Sequence, residues 1–235
     1  MDQKSAKNRL LQVMLPDDFE RLSPGLEPVP LARSQVLVEP EVEFDHAYFF
    51  ERGIGSVVTI SPEGLEAESG LFGRDGFAPT GIAMGADRAP FRTIVQVPGD
   101  GHRIEAGAFG EAIAASANLR NLLLRYAQAL SVQTSYTALS NAVHPIEERL
   151  ARWLLMSHDR ADGNEVPLTH EFLSLMLAVR RPSVTTALHV LEGNRFITAE
   201  RGLITIRDRA RLEEFAGDSY GRPEAEYERL IGRPL

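Results

Sequence analysis

The 235-residue sequence contains no cysteine. Disulfides, thiolate-bound zinc and cysteine-held iron–sulfur clusters are therefore excluded. It also lacks any uninterrupted apolar run of about 18 residues, so no transmembrane helix is expected. Its first stretch, "MDQKSAKNRLLQVMLPDDFERL", has no apolar core of the kind a secretory signal needs. The expectation is a soluble, cytoplasmic protein with no membrane partner. Glycine-rich phosphate loops, nucleophile elbows and paired-histidine metal motifs are missing too. The six histidines stand at 46, 102, 144, 158, 170 and 189, too scattered for the clustered ligands of a cupin-type enzyme. No enzyme, metal or cofactor is expected.

What is present reads as a folded chain: 43% of residues are hydrophobic and 25% charged. The formal net charge is -8, which argues against a non-specific nucleic-acid coat. The charge is uneven, however. Residues 1–145 hold 12 basic and 18 acidic side chains, whereas residues 169–211 hold seven arginines against four acids. Phosphate contacts act over roughly a Debye length of 8–10 Å, so an acidic body can carry a basic reading head. Arginines that merely solvate a surface would give the same count.

From Leu31 to about Val97, short apolar alternations such as "QVLVEP", "HAYFFERG", "SVVTIS" and "FRTIVQVPG" are separated by Gly, Pro and acidic turns. This spacing predicts a β jelly roll. Near His102 the period turns helical, and no proline follows for over forty residues. Leu119, Leu123, Tyr126, Leu130, Gln133, Thr137 and Ser140 recur at alternating spacings of four and three. That is the seam of a two-stranded coiled coil, and it predicts a homodimer; a helix docked on its own sheet is the alternative. After His144-Pro145, "IEERLARWLLMSHD" opens a second unit. "PLTHEFLSLML" starts another helix, with Thr169 as N-cap and Glu171 in the first turn.

The most informative stretch is "LAVRRPSVTTALHVLEGNRFITAERGLITI". Leu173, Met176 and Leu177 bury one face of a short helix, and Ala178-Val179 make a turn. Val184, Leu188 and Leu191 bury the next helix. Arg180, Arg181, Ser183, Thr186 and His189 are left facing outward. Two helices, a tight turn and a glycine-tipped hairpin carrying Arg201 form a winged helix-turn-helix. The free amides at a helix N-terminus favour phosphate, and arginine suits guanine O6 and N7. Pro182 costs no hydrogen bond in a first turn. It does bias Arg181 toward extended backbone, so a later helix start is expected. Double-stranded DNA is the expected partner. A scaffold that senses and dimerises without DNA is the competing reading.

These residues, and most specifically "HPIEERLARWLLMSHDR" with "RRPSVT" and "RGLITIRDR", resemble the Crp/Fnr superfamily of bacterial transcription regulators over nearly the whole chain. The resemblance implies an α+β protein: an N-terminal jelly-roll sensor like a cyclic-nucleotide-binding domain, a dimerisation helix and a C-terminal winged helix-turn-helix. The expected units are residues 1–145, with the dimer helix at about 105–141, and residues 146–235. The resemblance further implies a pseudo-palindromic operator, contact with RNA polymerase and a small-molecule effector. Arg181 and Thr186 match base-contacting positions, while Thr169, His170, Arg180 and Ser183 match positions that touch phosphate. Pro182 stands where a base-reading glutamate is common, which puts the usual half-site in doubt. Ala178 replaces a common turn glycine. In the sensor, Arg88 can occupy the phosphate-binding position of the cyclic-nucleotide cassette. Ala89 and Pro90 follow it, though, and Pro79 stands near the ribose-binding glutamate. The cassette is thus not expected to take a cyclic nucleotide. His46 and His102 are the only histidines in the roll that could ligate a haem.

Overall fold

A computed structural model describes residues 1–232; the last three residues of the expected 146–235 unit lie outside the described residues. The N-terminal body is built on one antiparallel sheet. Its strands are β1 (Glu27–Leu31), β2 (Val36–Val38), β3 (His46–Ile60), β4 (Glu66–Phe72), β5 (Phe77–Ala78) and β6 (Phe91–Glu105). They pair in the order β1-β6-β3-β4, with β2 on β6 and β5 on β3. "HAYFFERG" and "SVVTIS", expected as separate strands, both belong to β3. Register shifts between Phe50 and Gly55 bend this strand instead of ending it. Gly53 allows the bend: its φ is 93°, and a Cβ would lie 2.6 Å from the Val97 carbonyl oxygen. β6 likewise runs past His102, because Gly99 and Gly101 pair with β1, and the helical period begins only after Glu105. Alternation sorts the side chains of β3. Ala47 and Phe49 join the cluster under the helices, while Tyr48 and Phe50 join Phe72 and Val95 on the opposite face.

Helices α1 (Arg9–Val13), α2 (Pro16–Leu22), α3 (Ala106–Ala115) and α4 (Ala117–Val143) cover one face of this body. The dimer helix expected from about 105 is thus two helices. Ser116 separates them, its side chain accepting the Leu119 amide at 3.2 Å as the N-cap of α4. Pro145, right after the His144 cap, ends α4.

The expected coiled-coil seam faces inward, which corrects the sequence reading. Leu119, Leu123, Tyr126 and Gln133 are buried within their own chain, and Leu130 and Thr137 are half-buried. Tyr126 packs on Phe77 at 5.5 Å between ring centres, and Gln133 Oε1 accepts the Leu71 amide at 2.8 Å. An apolar stripe of this width docks a helix on its own sheet as readily as on a partner helix.

The C-terminal head comprises α5 (Ile146–His158), β7 (Glu165–Val166), α6 (His170–Leu177), α7 (Arg181–Gly193), β8 (Ile197–Glu200), β9 (Leu203–Ile206) and α8 (Arg209–Ala216). Its core is continuous with the body, since Ile54, Leu71 and Val97 of the sheet belong to the same buried cluster as Trp153 and Met176. Polar groups tie the two together. Trp153 Nε1 donates to Glu68 Oε1 at 2.9 Å, and Arg160 donates to both oxygens of Asp75 at 3.0 and 2.6 Å. A last helix, α9 (Arg222–Ile231), leaves the head and returns to the body. Ile231 enters the N-terminal core, with Tyr227 half-buried against it. The Tyr227 hydroxyl donates to the Asp75 carbonyl at 2.7 Å.

Candidate nucleic-acid interface

The head places its outward-facing residues through local chemistry. Thr169 caps α6, its side chain accepting the Phe172 amide at 3.3 Å. The helix closes with Ala178 in the left-handed region (φ 50°, ψ 44°) and the Val179 amide on the Ser174 carbonyl at 3.0 Å. α7 begins at Arg181, with Pro182 in its first turn. The later start expected from Pro182 is therefore corrected: the extended residue is Arg180 (φ -73°, ψ 148°), one place earlier. A proline in a first turn removes only an amide that has no intrahelical partner, so the helix tolerates it there.

Val184, Ala187, Leu188 and Leu191 hold α7 on the core. The opposite face carries Arg180, Arg181, Thr186 and His189, all exposed, with Ser183 half-buried at its edge. Arg181 Nη2 lies 3.4 Å from Glu171 of α6, and both side chains are largely in solvent. Such a pair is worth at most about 1 kcal/mol, so it yields easily to a phosphate or base. Thr186 spends its proton on the Pro182 carbonyl at 3.1 Å, which leaves its oxygen and methyl group to face outward. His170 sits beside Thr185, 3.5 Å from its hydroxyl.

The wing is the β8–β9 hairpin, turned by Arg201 and Gly202, with Gly202 at φ 79°. Behind it β7 completes a three-stranded sheet. Arg201 is exposed at the tip, and Arg195 and Arg207 are exposed near the two ends of the hairpin. Both belong to the seven arginines of residues 169–211, and that local charge excess, with the place of Arg195 just before the hairpin, is the sequence signal for them. Arg209, counted with them, is taken up structurally. It donates to Asp159, Glu213 and the Tyr220 hydroxyl at 2.7 to 2.8 Å. Burial pulls its guanidinium down, but Asp159 and Tyr220 more than offset this and hold it raised.

In the body, Arg88 is about half exposed and pairs with Glu43 and Asp87, each at 3.2 Å. His46 packs beside Tyr48, and His102 lies 3.6 Å from Glu51. Among the described residues no group of three histidines or carboxylates is placed to hold a metal ion, and no helix is long and apolar enough to cross a membrane.

Residues 148–215 match the family described as the Crp-like helix-turn-helix domain. No curated protein sequence matches the chain. Among solved structures, FixK2 of Bradyrhizobium japonicum superposes with a TM-score of 0.69 at 12% identity, over 81% of this chain and 96% of its own. A CRP-family transcriptional regulator of Thermus thermophilus gives 0.61 at 19% identity, over 80% of this chain and 96% of its own. CLP of Xanthomonas campestris, described as a c-di-GMP-responsive global regulator, gives 0.57 at 15% identity, over 81% and 98%.

Proposed function

We propose that this chain, whose residues 148–215 match the Crp-like helix-turn-helix domain and whose fold superposes on Crp/Fnr-type regulators, is a transcription regulator that binds a two-fold symmetric DNA operator as a homodimer. On this reading it acts as a regulator through its helix-turn-helix domain, not as an enzyme. The observation that carries the DNA reading is the N-terminus of α7. Arg180 and Arg181 are both exposed there, at the positive end of the helix dipole, with the Arg201 wing tip on the same small domain. Arg181 and Thr186 read bases in the major groove. Thr169, His170, Arg180 and Ser183 take phosphates, and Arg201, with His189 on the outer face of α7, completes the contact. Residues 146–216 form the reading head, and residues 1–145 together with α9 form the sensing body.

With its apolar stripe turned inward, α4 dimerises through its other face. Asn121, Leu124, Gln128, Ser131, Ser135, Ala138 and Ala142 are all exposed and recur at spacings of three and four. This row brings two copies of α4 together, its second half through small side chains.

The body senses a small molecule that is not a cyclic nucleotide. Arg88 is satisfied by acids, and Tyr48, Phe50, Phe72 and Val95 fill the face of the sheet opposite the helices. RNA polymerase is the onward partner of the bound dimer.

The test is selection of a randomised duplex library by the purified full chain at near-physiological salt. A palindromic motif with half-sites about 10 bp apart is expected. Enrichment of no sequence, with and without metabolite extract, would overturn the reading in favour of a dimer that does not act on DNA.

A further inference from the structure

A cavity of about 680 Å³ lies where the body, α4, the head and α9 meet. Its size is that of a small-molecule site. It is separate from the cassette loop that carries Arg88. Body, helices and head all contribute to its wall: Arg9 from α1, Arg74 from the β4–β5 turn, Tyr126 from α4, Arg160 from just after α5 and Tyr227 from α9.

The wall holds polar groups that the protein itself leaves unsatisfied. The Tyr126 hydroxyl belongs to a side chain only 2% exposed; its oxygen faces the Phe77 amide, and its own proton has no acceptor. Arg9 Nε is also buried without a partner. A buried donor left unpaired costs about 1–3 kcal/mol, so two of them on one cavity wall mark a place built for an acceptor. The wall carries five cations, Lys7, Arg9, Arg74, Arg160 and Arg209, against five acids, Asp75, Asp159, Asp162, Glu224 and Glu228, and Lys7, Arg9 and Arg74 stand together at α1. Arg160 and Arg209 are met by Asp75 and Asp159, but Arg74 and Lys7 share Asp162, at 2.8 and 3.9 Å. Of the acids on the wall, Glu224 is committed to the Gly221 amide at 2.8 Å. Ala129, Leu130 and Pro223 supply an apolar side for a ligand's carbon skeleton.

We propose that this junction cavity binds a small organic anion. Its carboxylate or phosphate oxygens accept from Arg9 and from the Arg74–Lys7 pair, and a polar atom of the ligand takes the Tyr126 proton. The inference does not depend on what α7 contacts, and its test contains no DNA. Calorimetric titration and thermal shift of the full chain would use citrate, glucose 6-phosphate and salicylate, with glucose and salicylamide as uncharged counterparts. At least one anion is expected to bind at millimolar or tighter affinity, while its uncharged counterpart does not. Arg9→Gln should weaken that binding at least tenfold and Tyr126→Phe several-fold, each variant first shown to keep the unliganded melting temperature to within a few degrees. Arg88→Gln should leave it unchanged. The proposal is overturned if no anion binds, if charged and uncharged probes bind alike, or if Arg88→Gln abolishes binding that Arg9→Gln retains.

Discussion

Ala178 shows how one backbone torsion sets the geometry of the reading head. A non-glycine residue in the left-handed region costs roughly 1–2 kcal/mol, part of which glycine gives back as chain entropy in the unfolded state. Ala178→Gly is therefore expected to stabilise the protein by about 1 kcal/mol, read as a rise of a few degrees in melting temperature. Glu68 presents a second single-residue effect. Burial between sheet and head pushes its carboxyl up to about 7, against the pull of bonds from Ser56 and Trp153. A carboxyl raised in the folded state stabilises the protein fully only below its ordinary unfolded pKa. That contribution disappears as pH climbs from about 4.5 to 7. Ser56 lies 2.7 Å from Glu68 and 2.8 Å from Gln96 Oε1 with one proton to give. A protonated Glu68 donating to Ser56 satisfies both contacts. Glu68→Gln is thus expected to add stability at pH 8, on the order of 3 kcal/mol at most, and little at pH 4.5. Denaturant melts at the two pH values check this; an equal effect at both would refute the assignment. On the proposed DNA face, Arg181→Ala should cost roughly 1–3 kcal/mol and relax preference at one base pair, whereas Arg180→Ala should weaken all duplexes alike and flatten the salt slope by about one. Competition titrations at several salt concentrations separate the two outcomes.

At the scale of elements, α4 has two usable faces, and the sequence does not say which one meets which surface. Leu119, Leu123 and Tyr126 advertise an apolar stripe, and either the chain's own sheet or a second copy could cover it. Only the three-dimensional position of β4, β5 and α9 decides. The helix-turn-helix was legible for the opposite reason. Its signals are local: a cap at Thr169, a turn at Ala178, apolar spacing through α7 and a glycine at the wing tip. α9 is not legible in the sequence because "RPEAEYERLI" is short and charged, and its docking residues, Tyr227, Leu230 and Ile231, acquire meaning only against a distant core. If the exposed row of α4 is the dimer seam, Leu124→Glu with Ala138→Glu should raise the dimer dissociation constant by a hundredfold or more. The melting temperature should hardly change, because neither side chain is buried in the monomer. Sedimentation equilibrium of the full chain measures it. The same double charge at Leu119 and Leu123 should unfold the body instead.

For the molecule as a whole, the boundary between body and head is a packed interface, not a loose linker. The Arg160–Asp75 pair spans it with two short bonds, and both side chains are mostly buried. Asp75→Ala leaves the Arg160 guanidinium uncompensated and should cost about 3–5 kcal/mol. Calorimetry is expected to show the single melting transition losing cooperativity. Retention of one sharp transition at the original temperature would mean that the pair contributes nothing. The chain enters the head through Pro145 and leaves it through α9, and both ends are anchored on the body. A reading head hung from one strap can swing through any arc. One held at both ends behaves like a drawer between two rails, able to travel along a single path and stopped wherever either rail catches. On the DNA reading proposed above, what reaches the duplex is then one displacement, repeated in each copy of the dimer, and a change to either rail alters how far it goes.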